Sequence, residues 1–155
     1  MDEEKQKTQP NWRMRFVNGA ARTQSTRAEQ EEAQFISFIA NVVRPAFSEI
    51  ARRLAEKGRT VSTQETRAAC GITVMNGATE EIGFRITSQT LPTAIAPEIE
   101  IKMHERKGLR IMRKTAPVRR GAAIVKTLAS TTSEDIVAEF FVYYADALAR
   151  LERRP

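Results

Sequence analysis

With 155 residues, 41% hydrophobic and 28% charged, the chain has the size and balance of one globular domain, able to bury roughly 70% of its extended surface. Its net charge is +6, its single cysteine rules out an internal disulfide, and its single histidine rules out an ordinary multi-histidine zinc site. No apolar run approaches the ~18 residues of a membrane span, and the polar start Met1-Asp2-Glu3-Glu4-Lys5 has no apolar signal core behind it. The expectation is a cytoplasmic protein without membrane contact.

Residues 1–25 read as a polar arm that is flexible or adds a strand, followed by a single α+β domain over 26–155. Within the arm, Trp12, Met14 and Phe16 recur at every second position, which puts all three on one side of an extended strand. Such a strand belongs on the edge of this domain's sheet or of a sister subunit's, or it is a docking arm for a different protein. Thr26 and Glu29 have capping-box spacing, and a long helix is predicted from there to Lys57, with Gly58 as its stop. Pro45 removes a backbone donor and crowds the carbonyl of Asn41, so this helix is expected to kink. Phe35, Ile36, Phe38 and Phe47 widen its apolar face beyond what one sheet contact needs, which points to a second covering surface, such as the C-terminal helix or another subunit.

Strand period follows. A short strand is expected at Val61–Glu65. Around Asn76-Gly77, a loop of Met75, Asn76 and Gly77 aligns Cys70, Ile72 and Val74 with Ile82 and Phe84 on one face. The same loop length at Arg106-Lys107-Gly108 aligns Ile101 and Met103 with Leu109 and Ile111. Between these hairpins, Pro92 and Pro97 mark an irregular crossing. A further strand is expected at Ile124–Leu128. Thr131 and Glu134 then open a final amphipathic helix whose stripe is Ile136, Phe140, Tyr144, Ala147 and Leu151. The predicted architecture is a kinked N-terminal helix, an antiparallel meander of about four or five strands, and a C-terminal helix packed on the same sheet face.

Alternation sends Thr73, Arg85, Thr87, Lys102, His104, Arg110, Met112 and Lys114 to the other face, which is expected to be polar and cationic. The segment 102–126 is strongly basic. Its candidates for polyanion binding are Lys102, Arg106, Lys107, Arg110, Arg113, Lys114, Arg119 and Arg120, with Lys126 at its end and Glu105 as the sole acid. Phe84, the only aromatic on the sheet, falls on the buried face, so base stacking is not expected and any nucleic-acid contact would be to phosphates.

No catalytic constellation emerges. Cys70 and His104 fall on opposite faces of the predicted sheet, Glu80 and Glu81 point to opposite faces, and the glycines form no phosphate-cradling loop. Tyr143 and Tyr144 read as packing residues, or as holders of a buried hydroxyl. The expected function is therefore that of a non-enzymatic interaction subunit, without cofactor or metal. It is expected to self-associate as a homo-oligomer and dock into a larger assembly through Trp12, Met14, Phe16, Phe35, Phe38 and Phe47. The alternative is phosphate-backbone binding of nucleic acid through the basic segment.

Overall fold

The structure is a computed structural model that describes residues 26–105, 110–120 and 124–152. The chain forms two units, residues 1–33 and 34–155. Of the first, only residues 26–33 are described, and they are helical, with Arg27 paired to Glu31. Trp12, Met14 and Phe16, and the cap at Thr26, belong to or adjoin the residues outside this description.

Helix α1 is α-helical over residues 26–38, a π-helical turn at Ile39–Val43, and α-helical again at Arg44–Ala55. The expected disturbance at Pro45 takes the form of that π turn. Pro45 has no N–H to return to the preceding turn, and the backbone absorbs one extra residue just before it, so that the Arg44 N–H bonds the Ile39 carbonyl. Within the widened turn the Val42 carbonyl accepts the Ser133 hydroxyl at 2.8 Å, tying α1 to the start of the second helix. Gly58 ends the first helix at a φ of 78°, a backbone conformation that disfavours any side chain.

Strands β1 (Thr60–Glu65), β2 (Ala69–Asn76), β3 (Thr79–Thr90), β4 (Ile95–His104) and β5 (Ile111–Pro117) follow, making one antiparallel sheet in sequence order. A small separate pair, β6 (Arg119–Arg120) with β7 (Ile124–Val125), leads to helix α2 (Ser133–Glu152). Both helices cover the face built by Cys70, Ile72, Val74, Ile82, Phe84, Ile86, Ile99, Ile101 and Met103. Phe84 stands at the centre, edge-on to Phe47 at 6.2 Å and to Phe140 at 5.3 Å. The α+β architecture read from the sequence is the one observed.

Four local expectations are corrected. The first hairpin turns through two residues, Gly77-Ala78, and recovers its faces by a bulge. Val74 pairs with Ile82 and Met75 with Glu80, leaving Glu81 as the extra residue. The second hairpin is slipped by one from the expected register, since Met103 pairs with Met112 and Ile101 with Lys114. Pro97 lies inside β4 rather than in a crossing. It is tolerated because hydrogen-bonded pairs alternate along the ladder from Leu91–Ala94, which turns the Pro97 nitrogen away from β3, toward the side where β5 has ended at Pro117. Finally, α2 is capped one residue later than expected. The Asp135 N–H bonds the Thr132 hydroxyl at 3.2 Å and the Thr132 N–H bonds the Asp135 carboxylate at 2.9 Å.

Candidate functional site

Because α1 and α2 share one face, the opposite face of the five-stranded sheet has no helix over it among the described residues. Register places Ser62 and Gln64 of β1, Gly71 and Thr73 of β2, Gly83 and Arg85 of β3, Glu100, Lys102 and His104 of β4, and Ile111, Arg113 and Thr115 of β5 on this open face. A half-open depression of about 710 Å³ lies across it. Gly71 and Gly83, diagonal neighbours on β2 and β3, form part of its floor. Neither has a positive φ, so glycine is not required here by backbone conformation. What these two positions contribute is the missing side chain. A Cβ on Gly71 would stand 3.2 Å from the Arg85 Cβ, and one on Gly83 would stand 3.4 Å from the Lys102 Cβ. At Gly71, which is buried, the stem of Arg85 packs over the backbone in the room a side chain would take, whereas Gly83 is only half-buried and leaves backbone open to a close approach.

The walls carry charge of both signs. Arg85 faces Glu100 at 3.6 Å and Lys102 reaches Glu80 at 3.3 Å, pairs exposed enough to be worth little. Arg113 has no carboxylate partner among the described residues. With Arg85 set against Glu100 and Lys102 against Glu80, the surplus of positive charge along the depression is that of Arg113, on the β4–β5 side.

The basic candidates among the described residues do not form one patch. Lys102 and Arg113 share the open face, but the slipped register turns Lys114 to the helix side, where its ammonium sits 4.9 Å over the Tyr143 ring. Arg110 is 89% exposed beside Glu105 at 3.7 Å. Arg119 lies in β6, its backbone N–H bonded to Glu139 at 3.2 Å. Arg106 and Lys107 lie outside the described residues, as does the side chain of Arg120. Lys126, at the end of the segment, is buried against Asp135 and the Ser130 carbonyl.

The helix residues expected to face a partner are turned inward. Phe35, Phe38 and Phe47 are buried, Phe35 stacked on Phe38 at 6.2 Å and Phe47 against Phe84. The breadth of the apolar face of α1 is accounted for by packing within the chain, and of its large apolar residues Ile36 is the one left exposed among those described. Cys70 sits on the helix side, and its burial pushes the thiol up to about 11. His104 is on the open side, its Nε2 at 3.0 Å from the Glu80 carbonyl and its buried Nδ1 without a partner among the described residues. The two groups do not meet.

One cluster was missed by pattern reasoning. The bulge swings Glu81 to the helix side, where it is 3% exposed. There it accepts the Tyr144 hydroxyl at 2.6 Å and both Nε and Nη2 of Arg59, at 3.1 and 3.3 Å. Burial first, then the neighbouring carboxylate, pushes the Tyr144 hydroxyl well above the ordinary phenol range, so it stays a donor. The network joins the loop after α1, strand β3 and helix α2, and fastens the helix layer to the sheet. The signal that could have located it is Gly77-Ala78 read as a two-residue turn, which requires an extra residue elsewhere in β3.

Among the described residues no cluster of three or more His, Cys, Asp or Glu side chains could hold a metal ion, and no helix is long and apolar enough to cross a membrane. No protein-family model matches the chain, and no curated protein or solved structure matches it significantly.

Proposed function

We propose that this chain is a non-enzymatic, self-associating interaction module that receives an acidic, extended segment of a partner protein on the open face of its sheet. The observation that carries this reading is the depression itself. It is concave, with the half-buried Gly83 leaving backbone open in its floor and Arg85 packed over Gly71, and it is rimmed by Arg85, Lys102 and Arg113 against Glu100. An extended peptide lies well on a pleated surface, and the surplus of cations selects carboxylates. We place the module in the cytoplasm, where an unpaired thiol such as Cys70 is ordinary.

Nucleic acid is less well supported, because the segment that supplies the positive charge is divided between the two faces of the sheet and a buried ion pair. A phosphate backbone tracks a continuous stripe of cations.

Fluorescence anisotropy separates the two classes. The probes are a labelled peptide of alternating Glu and Val, the same peptide with Gln for Glu, and a single-stranded oligonucleotide. Preference for the acidic peptide by roughly 10-fold or more over its neutral twin, lost in Arg113→Glu and in Gly83→Val, supports the proposal. Tighter binding of the oligonucleotide, or acidic-peptide binding untouched by both substitutions, refutes it.

A further inference from the structure

The two edges of the sheet are built differently. Strand β5 carries Arg113 and Lys114 and ends at Pro117, whose nitrogen points off the edge, all devices that discourage pairing with another strand. Strand β1 has none of them. Its sequence Thr60-Val61-Ser62-Thr63-Gln64-Glu65 contains no proline, no lysine and no arginine, and it pairs with β2 over all six residues without a bulge. Among the described residues, no strand lies on its outer side.

The direction of its free backbone groups follows from the turn. The Thr66 N–H bonds the Ala69 carbonyl at 2.8 Å, so Thr66–Ala69 is a hydrogen-bonded pair. Such pairs alternate, so Gln64, Ser62 and Thr60 bond inward to β2, and Val61, Thr63 and Glu65 present their N–H and C=O groups outward.

Resting on the self-association proposed above, we infer that β1 is the site of that association, pairing antiparallel with β1 of a second copy about a two-fold axis at Thr63 to make one continuous sheet. In this register Thr63 faces Thr63 and Val61 faces Glu65. Each of these is an outward-bonding residue, and each lies on the helix side of its own sheet, so both copies keep their helices on a common face. The two Glu65 carboxylates lie apart, each opposite a valine and each already held by Arg44 at 2.7 Å. Threonine opposite threonine is a favourable cross-strand pair. On the open side, Ser62 of one copy falls beside Gln64 of the other, at the rim of the depression. Dimerisation thereby joins the two open faces into one surface, as a symmetric closed assembly rather than a growing one.

Two substitutions in the full-length chain test the register. Thr63→Pro removes an N–H that β2 does not use, so the monomer fold is expected to survive, as its circular dichroism will report. Because the axis repeats the residue, the substitution deletes two intermolecular hydrogen bonds and strands two carbonyls, a loss of roughly 100-fold in dimer affinity by analytical ultracentrifugation. Thr63→Cys places the one exposed thiol of a chain whose native Cys70 is buried. Across a hydrogen-bonded pair the Cα atoms stand ~5.5 Å apart, within disulfide reach, so mild oxidation is expected to give a covalent dimer, whereas Thr60→Cys, off the axis, is expected to give none. A dimer that persists in Thr63→Pro and does not crosslink through Thr63→Cys overturns the assignment to β1 and leaves self-association standing. Loss of the dimer on Phe16→Ala without crosslinking at position 63 gives the edge to the arm and likewise overturns it. A wild-type chain monomeric up to its solubility limit overturns both the assignment and the self-association beneath it.

Discussion

Replacing Tyr144 by phenylalanine isolates the hydroxyl that closes the buried network. The ring keeps its place, stacked on Phe140 at 5.4 Å, and Glu81 keeps both bonds from Arg59, so the main loss is the 2.6 Å hydrogen bond to a carboxylate that is 3% exposed, with the hydroxyl's interaction with the Arg59 guanidinium lost beside it. Hydrogen bonds to charged groups contribute ~1.5–3 kcal/mol, and the low exposure leaves water little room to substitute, so a destabilisation of about 2 kcal/mol is expected. For a chain of this length that corresponds to a fall of about 4–8 °C in the thermal midpoint. Glu81→Ala is expected to cost more, about 3 kcal/mol, because it leaves the Tyr144 hydroxyl buried without an acceptor and removes the partner of Arg59, which is only a quarter exposed. Urea unfolding followed by circular dichroism measures both, and the double variant completes a cycle in which the two losses overlap by 1 kcal/mol or so. If Tyr144→Phe unfolds within about 0.5 kcal/mol of wild type, or if the two losses simply add, the hydroxyl is not bonded to a buried carboxylate and the account of the bulge fails.

Asp135→Asn is expected to destabilise α2 and leave the buried Lys126 ammonium unpaired, at about 2–3 kcal/mol near neutral pH. Burial alone raises the pKa of Asp135, but bonds from Lys126 and from the backbone and hydroxyl of Thr132 outweigh it and hold the carboxyl below its ordinary value. The carboxylate therefore stabilises the fold above the unfolded-state pKa of ~3.9 and ceases to do so as pH falls through the folded one, so the gap between wild type and Asp135→Asn should close in acid urea titrations. Glu139 behaves oppositely. Its burial, reinforced by Asp135, raises it against the opposing bond from the Arg119 N–H, so its protonated form favours folding and that benefit is lost as pH rises through the folded pKa. Glu139→Gln should accordingly raise the neutral-pH midpoint while gaining nothing below about pH 4, where the wild-type carboxyl is protonated in both states. Cys70, buried and with its thiol pushed up to about 11, is expected to react with a thiol reagent only at the rate of global unfolding, and fast labelling of native protein would contradict that.

What the sequence makes legible here is whatever repeats. The apolar stripe of α1, its stop at Gly58, and the alternation through Ile72, Val74, Ile82, Phe84 and Ile86 each rest on several residues agreeing, and the structure has them as expected. Features that hang on one residue are harder. A three-residue loop and a two-residue turn with a bulge leave Ile82 and Phe84 on the same face, so the hydrophobic pattern cannot tell them apart, yet only the second delivers Glu81 to Tyr144. Pro97 argued against a central strand because its side of the ladder is invisible until β5 is known to stop short of it. The same holds for the cap of α2, where Thr131 and Thr132 stand next to each other with acids three residues on. The depression has no sequence signature, because it is made by Gly71 and Gly83, 12 positions apart and diagonal only once register is set.

The slip in the second hairpin has the largest functional consequence. Period two means that a shift of one residue exchanges the faces of an entire strand. Leu109 and Ile111 pulled the expected register toward an apolar pair, but Met112 packs against the core instead, and Ile111 is left half exposed beside His104. The exchange carries Lys114 to Tyr143 and Arg113 to the open face, so of the described cations in a run that reads as one basic stripe, only Arg113 and Lys102 share that face, and Lys102 is paired with Glu80. A polyanion that needs many phosphates neutralised at once finds no such row among the described residues of that face, whereas a short acidic segment needs only a few contacts and a place to lie. It is the parity of one loop, more than the number of lysines and arginines, that turns the reading from nucleic acid toward peptide.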